Sequence, residues 1–238
     1  VSDAQTRQLA GITAVGAVVL LALAVPAFWP DYLAKVSLVD GYTHGHAILG
    51  LLWLLLLILQ PLVLRAGRMS LHRSLGRLGA LVALAFTVSS VLLTHHRASR
   101  MPDEAFASFG AGFYLPLVMT LVFAAAATLG LRWRRVATLH ARFMACTVLA
   151  LVDPVSARLL HFYAPPLPAG FLYQLPAFTL IIVTLAMLYF TLPPNARARR
   201  VFGTFAVTVA VFLLLYFATP YSAGWLGVLE WFRALPLT

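Results

Sequence analysis

Seven histidines carry most of the reactive chemistry in this chain of 238 residues. His44 and His46 precede an apolar run in "DGYTHGHAILGLLW", His95 and His96 close another in "VLLTHHRAS", and His161 closes a third in "SARLLHF". Neutral imidazole is the commonest protein ligand for zinc, copper and iron, so five imidazoles at one level could converge on such a metal. In a regular helix, residues two apart point about 200° from each other. The H-x-H pair can therefore act together only where the backbone departs from a helix, and Gly45 permits that departure. The competing reading is that these rings end their helices and reach interfacial water.

His72 and His140 form a second group, each set among arginines: Arg73 and Arg77 beside one, Arg142 beside the other. Two histidines at equal depth on neighbouring helices are the arrangement that ligates a haem iron from both sides, with arginines available for its propionates. A basic rim touching anionic lipid headgroups is the alternative.

Asp153, in "ALVDPVSARLLHF", is the third feature. A carboxylate about 12 Å inside a membrane span is costly unless paired, protonated or lining a polar cavity. Pro154 removes a backbone donor and is expected to kink the helix. Asp153, Ser156 and His161 share an arc of roughly 140° on an ideal helix, and Thr87, Ser90 and Thr94 form a polar line elsewhere. Together they could line one wet cavity, with Asp153 as a buried acid or base. Alternatively Asp153 contacts Arg158, and the hydroxyls bond back to their own helices.

These groups must be positioned by membrane helices. The chain is 62% hydrophobic and 10% charged, with a mean hydropathy of +0.92, and no soluble domain has so few charges to cover its surface. Apolar runs long enough to cross a bilayer fall at 8–29, 44–64, 74–94, 110–131, 143–162, 171–192 and 201–219. The expected fold is an all-α, polytopic transmembrane bundle of about seven helices. The first run is expected to be a retained helix, since it is too long for a signal-peptide core and lacks a small-residue cleavage site. The final stretch, "PYSAGWLGVLEWFRALPLT", reads as a short amphipathic helix along the interface. Connections are short throughout, so residues 1–238 form one integral membrane domain.

Seven spans put twelve of the seventeen basic residues on one side, and six of the seven acids on the other. The net charge of +10 thus reflects sidedness rather than affinity for nucleic acid. The positive-inside rule assigns the N-terminus to the cytoplasm and the C-terminus to the periplasm of a bacterial inner membrane. His44, His46, His95, His96 and His161 then share the outer face, and His72 and His140 the inner. The 23 residues from His72 to His95 span about 34 Å of helix, so the two groups cannot share one centre. Cys146, the single cysteine, reads as a small packing residue.

From His44 to Leu92 the order of His-Gly, Trp53, Pro61, Arg65 and His72 resembles the transmembrane b-type cytochromes of the ascorbate-dependent ferrireductase kind. The resemblance implies histidine pairs on alternate helices holding haem b, with His140 as partner of His72. The stretch "FASFGAGFYLPL" lacks the histidine that would complete a second site with His44, so one inner haem is expected rather than two. The chain also resembles uncharacterised bacterial multi-pass proteins with "LHRxLG" and "HxRxM" motifs, here at Leu71 to Gly76 and His140 to Met144. That resemblance implies a coherent fold and assigns no particular activity.

Three functions follow as expectations. One is a redox membrane protein with His72 and His140 on haem b, passing electrons to a quinone or another membrane partner. Another is a membrane enzyme with zinc, copper or iron on the outer histidines. The third is an accessory subunit of a larger complex, or a small transporter with its polar path along Asp153 and Thr87. Glycine-rich phosphate loops, nucleophile elbows and cysteine pairs are absent. The only lysine, Lys35, lies in an outer loop, which excludes a retinal Schiff base inside the bundle.

Overall fold

In the computed structural model, which describes residues 2–164, 174–191 and 196–238, the described residues form α-helices and short 3₁₀ turns, with no strand among them. Seven stretches are long and apolar enough to cross a membrane: Thr6–Phe28, Gly41–Arg65, Met69–Ser99, Tyr114–Arg132, Ala137–Tyr163, Gln174–Thr191 and Arg199–Tyr216. The helices are α1 (Ser2–Phe28), α2 (Gly41–Arg65), α3 (Met69–Ser99), the short α4 (Asp103–Phe109), α5 (Tyr114–Arg132), α6 (Ala137–Leu149), α7 (Val152–Tyr163), α8 (Gln174–Thr191), α9 (Ala196–Tyr216) and α10 (Ala223–Arg233). The chain is an integral membrane protein whose lipid-facing surface keeps large side chains such as Leu81, Leu121 and Phe190 exposed. Of the expected sixth span, 171–173 and 192 lie outside the described residues.

Local chemistry sets the helix ends. Asp40 starts α2 by accepting the Thr43 N–H at 3.0 Å. Gly67, at φ 71°, closes it. Its N–H bonds the Leu64 carbonyl and that of Arg68 bonds the Val63 carbonyl, a left-handed cap that turns the chain into α3. The fifth span is broken: α6 ends at Leu149 and α7 begins at Val152. Pro154 explains the position, because it can neither donate to the Ala150 carbonyl nor let that carbonyl lie in its usual place. Within the first turn of α7 its missing donor costs nothing.

Helices α2, α3, α5 and α6 run alternately up and down, with α3 packed between α2 and α5, and α6 packed on α5. The fifth span is central: α6 also meets α1 and α9, and α7 meets α1 and α8. Trp53, Phe86 and Phe123 fill the bundle between these helices, with ring centroids 5.3 Å apart for Trp53 and Phe123 and 5.0 Å for Phe86 and Phe123. Trp53 also donates its indole N–H to Thr147 Oγ1 at 3.3 Å, tying α2 to α6. One end of the bundle carries most arginines, the other most histidines. At the histidine-rich end, α10 packs against α3, and Arg233 binds Asp103 at 2.7 Å and the Met101 carbonyl at 2.8 Å.

Candidate functional site

At the arginine-rich end, α3 turns one stripe toward the bundle. It begins with His72 and continues through Gly76, Gly79, Ala83 and Phe86, a helical a/d spacing. Gly79 lets Trp53 and Leu56 approach, and Gly76 faces Gln60. The Gln60 carboxamide, oriented to satisfy both its ends, donates to His72 Nδ1 at 2.5 Å and accepts the Gly76 N–H at 2.9 Å. In the sequence Gln60 stands out only as the one strongly polar residue between His46 and Arg65.

His140 opens α6 at the same end, half-buried, and donates Nδ1–H to the Gly130 carbonyl at 2.8 Å. That bond fixes the tautomer and leaves the Nε2 lone pair for a metal or a proton. His72 and His140 are close enough for the charge of one to act on the other. Their helices both pack against α5 rather than extensively on each other, as members of a diagonal pair do.

The arginines are not gathered around them. Arg73 is exposed on the rim. Arg142 is 3% exposed, but it donates to the Thr138 carbonyl at 2.9 Å and stands 5.8 Å over the Phe202 ring of α9. It follows His140 by two residues, so it leaves α6 on the opposite side.

The five histidines of the other end do not converge, and among the described residues no three metal-ligating side chains come together. Helix α2 is already regular at Gly45, so His44 and His46 diverge: the expected irregularity is absent because Asp40 launches the helix before the pair. His44 Nδ1 lies 3.0 Å from the Tyr32 hydroxyl. His46 stacks on Phe86 at 4.6 Å and places Nδ1 3.1 Å from Ser89 Oγ, which itself donates to the Phe86 carbonyl. His46 is thus the Nδ1–H donor in that contact, by the hydroxyl's one-proton limit.

His95 and His96 leave α3 in different directions. His95, 1% exposed, is covered by α10: Nδ1 is 2.7 Å from Thr238 Oγ1 and the ring is edge-on to Phe232. His96 lies against Tyr42 with Nε2 3.8 Å from Asp40 Oδ1, and an open cleft of about 440 Å³ there also reaches Arg100. Burial pushes the Asp40 carboxyl up, but the Thr43 hydrogen bonds and the nearby His96 outweigh it and hold the group below its ordinary value. His161 is exposed and edge-on to Phe162.

Asp153 is 6% exposed and its Oδ1 has no hydrogen-bond partner. The alternative Asp153–Arg158 contact is not an ion pair: Arg158 donates to the Pro154 carbonyl at 2.9 Å and stands 4.6 Å over the Phe28 ring. Arg158 and Arg97 both act on the charge of His46. The hydroxyls mostly bond back along their helices, Thr87 to Ala83, Thr94 to Ser90 and Ser156 to Val152. Ser90 adds a crossing contact of 2.5 Å to Thr120 on α5. Comparison with protein families, with curated proteins and with solved structures finds no match to this chain.

Proposed function

We propose that this is a membrane electron-transfer protein in which His72 and His140 hold haem b near the arginine-rich face. The observation that carries the reading is the His72–His140 pair itself. Two imidazoles begin diagonal helices at one end of a bundle, and one of them is held by the Gly130 carbonyl in the tautomer that presents Nε2. His72 reaches the equivalent state when the Gln60 amide turns over and accepts from Nδ1. Two imidazoles are the donor set of a bis-histidine site. Haem bound there would supply one-electron chemistry, with His72 and His140 as its ligands and Arg73 and Arg77 at the rim available to its propionates. By the positive-inside rule this face is cytoplasmic in a bacterial inner membrane, and a quinone or another membrane subunit is the electron partner.

Visible spectroscopy with iron analysis on the purified chain tests the proposal. A Soret band is expected in the native protein and is lost in His72→Ala and in His140→Ala, but kept in His44→Ala. A native protein with neither band nor iron overturns it.

A second reading rests on Asp153, a buried carboxylate whose Oδ1 has no hydrogen-bond partner, beside a broken helix in the central span. Broken spans with buried charge are the usual substrate and ion sites of transporters. Proton uptake by reconstituted vesicles that disappears in Asp153→Asn would favour this reading.

A further inference from the structure

A groove of about 370 Å³ runs between α5, α6 and α9, and neither the histidines nor Asp153 belongs to it. Its floor is apolar, built from Ala126, Leu139, Phe143 and Phe205, and its lipid-facing lip includes Ala125. The small residues of α5 keep it open where a leucine would fill it. From Val122 to Trp133 the groove follows eleven residues of chain, or about 16 Å. That is half of a hydrocarbon core of roughly 30 Å, the depth of a single leaflet.

The mouth lies at the arginine-rich face, where Arg200 and Trp133 line it. Arg200 is exposed, whereas its neighbour Arg199 is folded onto α8, 4.1 Å over the Tyr189 ring. Asp3 is the only carboxylate that the topology places on this face, so the arginines here are not neutralised by the protein's own acids. Arg132 and Arg134 follow the same level, one against Trp133 at 5.5 Å and one on the Leu131 carbonyl at 3.1 Å. An apolar slot one leaflet deep, ending under uncompensated positive charge beside an interfacial tryptophan, matches one kind of occupant.

We infer that this groove is a binding site for an anionic phospholipid, with one acyl chain along α5 and α9 and the headgroup phosphate on Arg200. A zwitterionic lipid fills the slot equally well but gains less at the mouth, so the site selects by headgroup charge. Quinones, and a second copy of the chain, are the other occupants such a slot can take.

Trp133 supplies the readout. The full chain is reconstituted in phosphatidylcholine vesicles containing phosphatidylglycerol or phosphatidylcholine with brominated acyl chains, which quench nearby tryptophan. Subtracting the Trp133→Phe protein isolates the signal of Trp133 from that of the other tryptophans. Brominated phosphatidylglycerol is expected to quench Trp133 at about fivefold lower mole fraction than brominated phosphatidylcholine. Arg200→Gln, on an exposed position, should erase that preference and leave quenching by both lipids. Ala125→Phe, which fills the lip from the lipid side, should reduce quenching by both. Equal quenching in the native protein overturns the inference, as does a preference unchanged by Arg200→Gln. Loss of the preference on adding inorganic phosphate shows a free-anion site and overturns the lipid assignment, and quenching relieved equally by a quinone or by self-association does the same.

Discussion

His140 donates its Nδ1–H to the carbonyl of Gly130 at 2.8 Å, and so ties the first turn of α6 to the last turns of α5. The Gly130 carbonyl is among the last four of its helix, which have no partner within it. The same bond therefore caps a helix and sets the tautomer of a candidate ligand. His140→Ala should cost about 1–3 kcal/mol, because a carbonyl is left unsatisfied in apolar surroundings. The melting temperature in detergent reads this loss. His140→Gln, which can still donate, should recover part of the stability without recovering any Soret absorbance.

Gly130 also sets how close α5 and α6 come. A methyl group there would overlap the Met144 side chain and approach the Phe143 Cβ to 3.3 Å. Met144 is flexible and can swing aside, whereas Phe143 Cβ is fixed to its backbone. Gly130→Ala is expected to destabilise by about 1–3 kcal/mol. If the two helices separate, the His140 bond lengthens as well, and the double variant with His140→Ala should then cost less than the two single losses together.

Trp53 is 3% exposed, touches Phe123 edge-on and holds Thr147 through its indole N–H. Trp53→Ala should cost about 3–5 kcal/mol. Trp53→Phe keeps most of the aromatic volume and loses only the indole bond, and Thr147 still donates to the Met144 carbonyl at 2.7 Å. A much smaller change, about 1 kcal/mol, is expected from that substitution.

Hydropathy alone located the spans, because a bilayer leaves the chain few choices: every backbone polar group must be satisfied inside a helix roughly 20 residues long. The break before Pro154 was legible for the same kind of reason, a local one. The directions of the histidines were not. At two-residue spacing a helix sends His44 and His46 to different neighbours, Tyr32 and Ser89, and which neighbours those are depends on packing that no single sequence displays. Gly45 is a point of backbone freedom, but Asp40 and Thr43, three residues apart, are the stronger signal, one for a helix start. His95 is sequestered by Phe232 and Thr238, more than a hundred residues along the chain.

Asp40 gives a pH dependence of known sign. It caps α2 through the Thr43 N–H and hydroxyl, both at 3.0 Å, and its carboxyl is held below the ordinary 3.8. A carboxyl whose folded value is depressed stabilises the fold at pH above its unfolded value, and that stability is lost as pH falls through the folded one. Thermal stability should therefore decline on acidification below about pH 4, and less steeply in Asp40→Asn, which keeps an N-cap acceptor without an ionisable carboxyl. Asp40→Ala should cost about 0.5–2 kcal/mol at neutral pH. Equal acid sensitivity in the native protein and in Asp40→Asn would place the effect elsewhere.

Asp153 opposes stability where it stands. Its Oδ1 is buried without a hydrogen-bond partner, and Arg158, whose charge acts on Asp153, donates to the Pro154 carbonyl rather than to the carboxylate. A carboxylate in such surroundings is unfavourable by several kcal/mol unless it is neutralised or paired. Asp153→Asn keeps the shape and removes the ionisable group, so the variant should melt no lower than the native protein and is expected to gain about 1–2 kcal/mol. Asp153→Ala leaves a void instead and forfeits that gain. A buried carboxylate beside a broken helix is the kind of group that transport sites use. Proton uptake by vesicles separates the two outcomes: a more stable Asp153→Asn protein that no longer takes up protons assigns Asp153 to transport, while a more stable protein with unchanged uptake reduces it to a local defect of the central span.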